Sequence, residues 1–342
     1  MARNMKKRVE NGKDSVGMRV LKTLYIVIFA VSALIVLGYI FITFGIRTPD
    51  VETPPVIINP SHVIENPDDG DEPSAEPIVL ERREQVYTCL IFGLDAGNGN
   101  TDTIMVATFD VPNQKIGLMS IPRDTVVSQN YTTAFNKVNA AYARDNVEGL
   151  KQEVSELLGI PIDYYVKVKL TAFEKLVNAV GGVWYEVPFD MDYDDPYQNL
   201  SIHLQKGYQQ LNGEQAMGLV RYRQDNNHEG YGDIGRASTQ QAFIKAMLSQ
   251  VLSGASLDNV PELVDILLNY VDTDASLNDM LYFGRALIGM DLGSAMSMKT
   301  LPAEWHSPYM WVKTEEALAA INAMLNPYTI ELTLEMVEFF EQ

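Results

Sequence analysis

The sequence predicts an α/β fold, an α-β-α sandwich with a central mixed sheet, preceded by one transmembrane helix. Two observations predict it. After residue 85, short runs rich in branched and aromatic residues alternate with segments of helical periodicity. Before that point, residues 24–46 form an uncharged, mostly apolar run. The chain has 342 residues, enough for one large domain or two modest ones.

The apolar run is long enough to cross a bilayer as a helix, since roughly 23 residues rise about 1.5 Å each. Seven basic residues lie in residues 1–23, whereas Arg47 alone follows the run closely. The positive-inside rule therefore predicts a cytoplasmic N-terminus and an external location for the rest of the chain. The competing interpretation is a cleaved signal peptide, but the small residues Ala30, Ser32 and Ala33 lie in the middle of the run.

Residues 47–84 are predicted to form an acidic, proline-rich linker. They contain seven prolines and the sequence Asp-Asp-Gly-Asp-Glu at 68–72. Such a composition favours an extended, self-repelling spacer that holds the following domain off the membrane. Unselected drift of a linker sequence explains the composition equally well.

The main domain is predicted over residues 85–252. Its strand-like runs come first, and a glycine pair at 181–182 marks a helix end. Predicted strands cover 87–93, 103–109, 115–121, 163–170 and 183–187. Predicted helices cover 136–144, 147–158, 171–180, 211–222 and 236–252. Residues 253–342 are predicted to form a closing layer or an appendage. Predicted helices there cover 260–270, 277–290 and 315–325, and a predicted strand covers 296–301.

Composition excludes several classes of function. The net charge of −19 would repel nucleic acid, so none is expected as a partner. The single cysteine, Cys89, cannot form an intramolecular disulfide, and the four histidines show no spacing of a zinc site. The glycines of 93–99 lack the Gly-Lys-Ser/Thr of a phosphate-binding loop, which weakens a kinase interpretation.

Four of the six arginines after residue 84 lie in short motifs and favour an anionic ligand. Arg123 follows a predicted strand in Ser120-Ile121-Pro122-Arg123-Asp124, and Arg221, Arg223 and Arg236 come about a hundred residues later. Guanidinium groups match phosphate bidentately, so a convergent set would form a local phosphate pocket. The alternative is that each arginine pairs with a nearby surface carboxylate.

Asp95 and Asp102 flank a glycine-rich loop between two predicted strands. Two carboxylates placed so can meet one hard cation, and Mg²⁺ suits carboxylates combined with phosphate oxygens. Ordinary turn chemistry is the alternative for both aspartates.

Six short motifs resemble, in order, those of the LytR-CpsA-Psr family of membrane-anchored bacterial envelope enzymes. The motifs are Phe92-Gly93-Leu94-Asp95, Thr101 to Val106, Ser120 to Asp124, Asn136 to Tyr142, Arg221-Tyr222-Arg223 and Gly232 to Arg236. The resemblance covers roughly residues 86–252 and identifies this region as an extracellular catalytic domain.

The resemblance implies a phosphotransferase that moves a glycopolymer from a polyprenyl-pyrophosphate carrier to peptidoglycan. The polymer would be teichoic acid or a capsular or secondary polysaccharide. Asp95 and Asp102 would hold Mg²⁺, and Arg123 and Asp233 would join them in catalysis. The pyrophosphate would be bound by Arg123, Lys137, Arg221, Arg223, Arg236 and Gln240.

Two positions depart from the family pattern. Asn100 and Thr239 stand where the family often has arginine, which predicts a weaker grip on phosphate or a different substrate preference. For Lys137 a solvated helix face, and for Asp233 a salt bridge to an adjacent arginine, are the alternative roles. A base for the acceptor hydroxyl is not identifiable, although Asp95 and Asp102 are candidates.

Two other functions remain open from the sequence. A hydrolase that releases phosphate from polyprenyl pyrophosphate would need the same site. A non-catalytic, membrane-anchored binding or regulatory module, which recognises lipid-linked glycans, would need only the arginines.

Overall fold

The computed structural model describes residues 45–51, 56–58, 78–94, 99–195, 200–225, 232–251, 262, 265–266 and 269–340. Internal contacts divide the chain into two units, residues 1–49 and 50–342, and the described strands and helices belong to the second. The predicted membrane anchor lies outside the described residues, except for Gly45 and Ile46. Among the described helices, none has both the length and the hydropathy of a membrane span.

The strands and helices follow one another along the second unit. The strands are β1 (Val56–Ile58), β2 (Ile78–Leu80), β3 (Val86–Leu94), β4 (Thr101–Asp110), β5 (Lys115–Ser120), β6 (Tyr164–Val168), β7 (Val183–Val187), β8 (Met191–Asp195), β9 (Leu200–Leu204), β10 (Gly207–Leu211), β11 (Val271–Thr273), β12 (Met296–Thr300), β13 (Ala303–His306) and β14 (Tyr309–Val312). The helices are α1 (Val138–Leu158), α2 (Leu170–Ala179), α3 (Gly213–Arg221), α4 (Gly232–Gln250), α5 (Leu277–Leu287), α6 (Leu292–Ala295) and α7 (Thr314–Met324).

Six of the described strands form a central mixed sheet in the order β11-β6-β3-β4-β5-β12. Strand β3 runs parallel to β6 and β5 runs parallel to β12, whereas β4 is antiparallel to both of its neighbours. This arrangement confirms the predicted α/β class with a mixed central sheet.

Helices cover both faces of this sheet because its strands are apolar on both sides. Along β4, Ile104 and Val106 pack into the core that contains α1 and α7. Met105, which points to the opposite face, packs into a second core with Leu292 of α6 and Ile244 of α4. A strand covered on both faces needs a continuous apolar run rather than an alternating one, as the sequence of β4 provides.

A third core lies beside the sheet and positions the arginines of the later motifs. It contains Val177 of α2, Val183 of β7, Ile202 of β9, Leu219 of α3 and Phe243 of α4. Strand β7 pairs with β10, and β8 pairs with β9, each pair being antiparallel. Helices α1 and α2 pack their apolar faces into the first and the third of these cores.

Helix α1 contains the interruption that the sequence predicts between residues 144 and 147. Asp145 and Asn146 have non-helical backbone angles, with φ values of −133° and 61°. The helix ends at Gly159, whose φ of 67° is the left-handed conformation that glycine adopts without steric cost.

The second unit extends beyond residues 85–252 on both sides. Leu80 of β2 belongs to the core that contains α1 and α7, and Arg82 forms a buried ion pair with Asp163. The Asp163 carboxylate also accepts a hydrogen bond from the Thr88 backbone N–H at 2.7 Å. After residue 252, β11 and β12 form the two edges of the central sheet. Segments predicted as a spacer and as a closing layer therefore contribute to the sheet and its cores.

Candidate functional site

Asp102, Arg123 and Lys137, three of the predicted site residues, lie at one edge of the central sheet. Strands β3, β5, β6 and β12 end at this edge, and β4 begins there, because β4 runs antiparallel to its neighbours. Leu94, Thr101, Ser120 and Thr300 are the terminal residues of four of these strands. Loops at a shared strand edge can bring side chains from distant parts of the sequence together.

Asp102 and Arg123 form an ion pair as a consequence of strand register. Met105 of β4 lies opposite Ser120 of β5. From this pair, Asp102 lies three residues back along β4, and Arg123 lies three residues on, in the turn that follows β5. The Ile121 backbone N–H donates to the Ile104 carbonyl at 2.9 Å, which continues the register beyond the strand end. The Arg123 Nη1 atom lies 2.7 Å from Asp102 Oδ1. Asp102 therefore lies in a strand rather than in a turn.

Lys137 extends this pair into a chain of alternating charges. Its Nζ atom lies 2.8 Å from Asp124 Oδ1, and the other oxygen of Asp124 lies 3.7 Å from Arg123 Nε. Lys137 occupies the extended position just before α1 and bridges to Val126, so it does not lie on a solvated helix face. We call Asp102, Arg123, Asp124 and Lys137 the charged chain; their side chains are between 18% and 41% exposed.

Arg221 and Arg223 lie on either side of the buried Tyr222 in the sequence. Tyr222 is 2% exposed and packs against Phe189, with ring centroids 5.9 Å apart. The backbone at Tyr222 is extended, with φ −61° and ψ 133°, so α3 ends at Arg221 and the chain leaves the helix through Tyr222 to Arg223. Both arginines remain half-buried, in contact with solvent.

Two glutamines of α4 connect the arginine segments to the sheet edge. Gln240 Nε2 donates to the carbonyl of Val220, the residue before Arg221, at 2.9 Å. Gln241 Nε2 donates to Ser120 Oγ at 2.8 Å. Arg236 lies one helical turn before Gln240 and therefore on the same side of α4. These contacts tie the segments carrying Arg221 and Arg236 to the strand end that precedes Arg123.

Two predicted site residues cannot be placed in this arrangement. Asp95 lies outside the described residues. Asp233 lies in the first turn of α4, but its side chain lies outside the described part of the structure. Of the two departures from the family pattern, Asn100 is half-buried and Thr239 is buried in α4.

Asn139 is a site residue to which the sequence motifs assign no role. Its backbone N–H donates to the Arg123 carbonyl at 3.1 Å, and its carbonyl accepts from Thr101 Oγ1 at 3.3 Å. Its side-chain oxygen is buried and accepts no hydrogen bond from the described residues. Its backbone contacts join Asn139 to Thr101, the neighbour of Asp102, and to Arg123, the ion-pair partner of Asp102. Amide and carboxylate oxygens are ligands of the kind that a hard cation such as Mg²⁺ takes.

Two carboxylates and one histidine form a cluster across the β8–β9 hairpin. Ligand atoms of Asp192, Asp194 and His203 lie within 4.8 Å of one another, and all three side chains are exposed. His203 Nδ1 lies 2.6 Å from Asp192 Oδ1, while Ser201 Oγ donates to Asp194 at 2.6 Å. Cross-strand pairing creates this grouping, so spacing along the sequence does not reveal it.

Comparison with known proteins identifies the family of this chain. The sequence model of the LytR_cpsA_psr family matches residues 58–326. The chain is 29% identical over 220 residues to the Bacillus subtilis (strain 168) protein named polyisoprenyl-teichoic acid–peptidoglycan teichoic acid transferase TagV. That alignment covers 62% of this chain and 56% of TagV. The regulatory protein MsrR of Staphylococcus aureus (strain COL) is 32% identical over 190 residues, covering 54% of this chain and 55% of MsrR.

Solved structures show the same fold. The crystal structure of B. subtilis TagV matches with a TM-score of 0.58 and 25% identity, covering 70% of this chain and 95% of that chain. A transcriptional regulator from Enterococcus faecalis matches with a TM-score of 0.58 and 24% identity, covering 70% and 85%. The chain spans about half the length of the curated relatives it matches. The family match nevertheless covers well over half of this chain, which belongs to the LytR_cpsA_psr family.

Proposed function

We propose that this protein is a phosphotransferase that attaches a glycopolymer, carried on polyprenyl pyrophosphate, to a hydroxyl of peptidoglycan. The charged chain at the sheet edge is the observation that carries the proposal, since it presents two cations beside two carboxylates. The name of TagV supports teichoic acid as the polymer. A capsular or other secondary polysaccharide has the same phosphate chemistry.

The reaction replaces the phosphoanhydride bond of the pyrophosphate by a phosphate ester to the acceptor. The acceptor hydroxyl oxygen attacks the phosphorus that carries the sugar, and the bond from that phosphorus to the bridging oxygen breaks. Polyprenyl phosphate leaves with the electron pair, and the hydroxyl proton passes to a base. Because charge grows on the departing phosphate, cations placed around it lower the barrier.

The arginines and Lys137 would supply that charge stabilisation. Arg123 presents a planar fork beside Asp102, and the fork geometry suits two oxygens of one phosphate. Arg221, Arg223 and Arg236 would bind the second phosphate, because α4 ties their segments to the same edge. Gln240 would act by positioning this segment, and Asp233 keeps the catalytic role that the resemblance implies.

Asp95 and Asp102 would hold Mg²⁺, with the side-chain oxygen of Asn139 as a third ligand. When bound there, the ion would help the arginines to neutralise the negative charge of the pyrophosphate. Asp102 would then orient Arg123 as well, because one of its oxygens pairs with that guanidinium.

The proposed location is the cell membrane, with a single-pass anchor at residues 24–46, a cytoplasmic N-terminus and an extracellular catalytic domain. The length of the apolar run and the basic residues before it support this location. A donor with a polyprenyl tail resides in the same membrane, so an anchor keeps the enzyme and its substrate together.

A regulatory binding module is the second candidate, because the relative MsrR is named a regulatory protein. Product analysis separates the candidates. The full-length protein would be incubated in detergent with a polyprenyl-pyrophosphate-linked oligosaccharide and Mg²⁺, with and without peptidoglycan oligomers. We expect sugar phosphate attached to peptidoglycan when acceptor is present. Release of sugar phosphate without attachment would indicate a hydrolase, and donor binding without any product would indicate a binding module.

A further inference from the structure

The β13–β14 hairpin lies directly against the charged chain. The Met310 backbone N–H donates to the Asp124 carbonyl at 2.9 Å, and the Val126 N–H donates to the Met310 carbonyl at 3.2 Å. Val126 in turn bridges to Lys137. The hairpin thus continues a small sheet whose inner part consists of residues of the site.

Strand pairing sorts the side chains of this hairpin onto two faces. Glu304 lies opposite Trp311, and His306 lies opposite Tyr309. Side chains directly opposite each other, and those two residues apart on one strand, share a face. Glu304, His306, Tyr309 and Trp311 therefore form one face, which we call the aromatic strip. Trp305, paired with Met310, lies on the other face.

The aromatic strip is continuous with the charged chain. Lys137 Nζ, which pairs with Asp124, lies 5.9 Å from the centre of the Tyr309 ring. The Tyr309 hydroxyl accepts a hydrogen bond from Asn136 Nδ2 at 3.4 Å. The rings of Tyr309 and Trp311 stand edge to face, with centroids 5.7 Å apart and an interplanar angle of 87°. On β13, His306 Nε2 lies 3.8 Å from Glu304 Oε1.

This combination of groups suits a sugar chain rather than an apolar ligand. Aromatic rings offer flat faces with negative charge to the C–H bonds of a pyranose, while a carboxylate and an imidazole exchange hydrogen bonds with hydroxyl and amide groups. Glu304 and His306 are exposed and alternate with the aromatic residues, so a lipid tail would have to desolvate both.

We propose that the aromatic strip binds the glycan of the acceptor, a chain of N-acetylated hexoses, and leads its hydroxyl toward Arg123. This inference rests on the proposed transferase function. It assigns acceptor binding to residues 303–312, which lie outside the six motifs shared with the family.

Kinetics with a defined acceptor test the assignment. The probe is a peptidoglycan tetrasaccharide released by muramidase, used with the full-length protein in detergent and a saturating lipid-linked donor. Trp311→Ala and Tyr309→Ala should each raise the KM for the tetrasaccharide about three- to tenfold, leaving the KM for the donor unchanged. Tyr309→Phe, which keeps the ring, should restore the wild-type KM.

Trp305→Ala is the matched control, because Trp305 is an exposed aromatic residue of the same hairpin on the opposite face. Its acceptor KM should equal that of the wild type. An unchanged KM in Trp311→Ala and Tyr309→Ala, or an equal rise in Trp305→Ala, would overturn the assignment while leaving the transferase function intact.

Calorimetric titration of the tetrasaccharide, without donor, separates this inference from the proposed function. Binding by the wild type that weakens in Trp311→Ala supports the aromatic strip even if no transfer product forms. The absence of measurable binding by the wild type overturns it.

Discussion

Single residues of the site owe their positions to backbone register and to a few side-chain hydrogen bonds. Asp102 and Arg123 meet because β4 and β5 pair in one register, and a shift by one residue would place a different residue of the turn after β5 near Asp102. The motifs in the sequence identified both residues. Asn139 lies in one of these motifs without an assigned role, and Gln241 and Tyr309 lie outside them. Their tertiary contacts are not visible in the spacing of residues along the chain.

Gln241 is expected to hold α4 to the sheet edge. Its amide donates to Ser120 and lies 3.4 Å from Thr300 Oγ1 in a buried position. Gln241→Met keeps the approximate shape but leaves two hydroxyls without this partner, so the free energy of unfolding should fall by about 1–3 kcal/mol. Urea denaturation measures the change. Gln152→Met, at an exposed position of α1, serves as the control and should change stability by less than about 0.5 kcal/mol.

Cys89, which is half-buried in β3, is expected to react slowly in the folded protein. Burial raises the pKa of its thiol to about 12, so little thiolate exists near neutral pH. Alkylation by iodoacetamide at about pH 8 should be at least about a hundredfold slower in the folded protein than in urea. Mass spectrometry at timed intervals gives both rates. Equal rates would show that the strand carrying Cys89 opens readily.

Among the elements, β5 and α7 approach each other unusually closely at Gly117. A Cβ atom added there would lie 2.0 Å from the Met324 carbonyl oxygen. Gly117→Ala should therefore destabilise the protein by about 3 kcal/mol or more, because a backbone atom cannot move aside cheaply. Thermal unfolding, followed by circular dichroism, measures the loss.

Gly284 provides the matched control for Gly117. It lies inside α5, and a Cβ atom there would meet nothing within 4 Å. Gly284→Ala should stabilise the protein by up to about 1 kcal/mol, because alanine has the higher helix propensity. If both substitutions had the same effect, the close packing of α7 on β5 would be refuted.

Strand β11 should make a pH-dependent contribution to stability through its contact with β6. A hydrogen bond from Lys167 lowers the pKa of Asp272 below its ordinary value of 3.8, and the same bond raises the pKa of Lys167. The depressed carboxyl pKa stabilises the fold above about pH 4, and this contribution is lost as the pH falls through the folded pKa.

Asp272→Asn should therefore lower the melting temperature at about pH 7 but hardly at about pH 2.5. The difference at neutral pH should be small, because the Asp272 side chain is 44% exposed and solvent screens the pair. A difference between the two proteins that persists at the lower pH would contradict a role for the ionised carboxylate.

Elements with strong periodicity could be predicted from the sequence, and short polar ones could not. The predicted strands near β3, β4 and β5 and the interrupted helix α1 are confirmed, since each carries a long apolar pattern. The β8–β9 hairpin was missed because β8 contains three aspartates, which are rare in strands. The β13–β14 hairpin was missed because each of its strands has four residues.

At the scale of the whole molecule, the sheet draws its strands from distant parts of the chain. Residues 296–300 pair in parallel with 116–120, although about 180 residues separate them. Strand order is set by packing on both faces, so the sequence pattern could predict the class of fold but not the place of residues 253–342. The chain as a whole is acidic, with a net charge of −19. The positive charges of Arg123 and Lys137 at the sheet edge are therefore confined to a small region of the molecule.

The transfer rate of an arginine variant tests the central claim most directly. Polymer attached to peptidoglycan would be measured for the wild type, Arg123→Ala and Arg285→Ala, the last being an exposed arginine of α5 outside the motifs. We predict that Arg123→Ala reduces the rate by about 10²–10³-fold, as for the loss of one group that stabilises transition-state charge, and that Arg285→Ala does not. An Arg123→Ala protein that folds normally and transfers polymer at the wild-type rate would contradict the account.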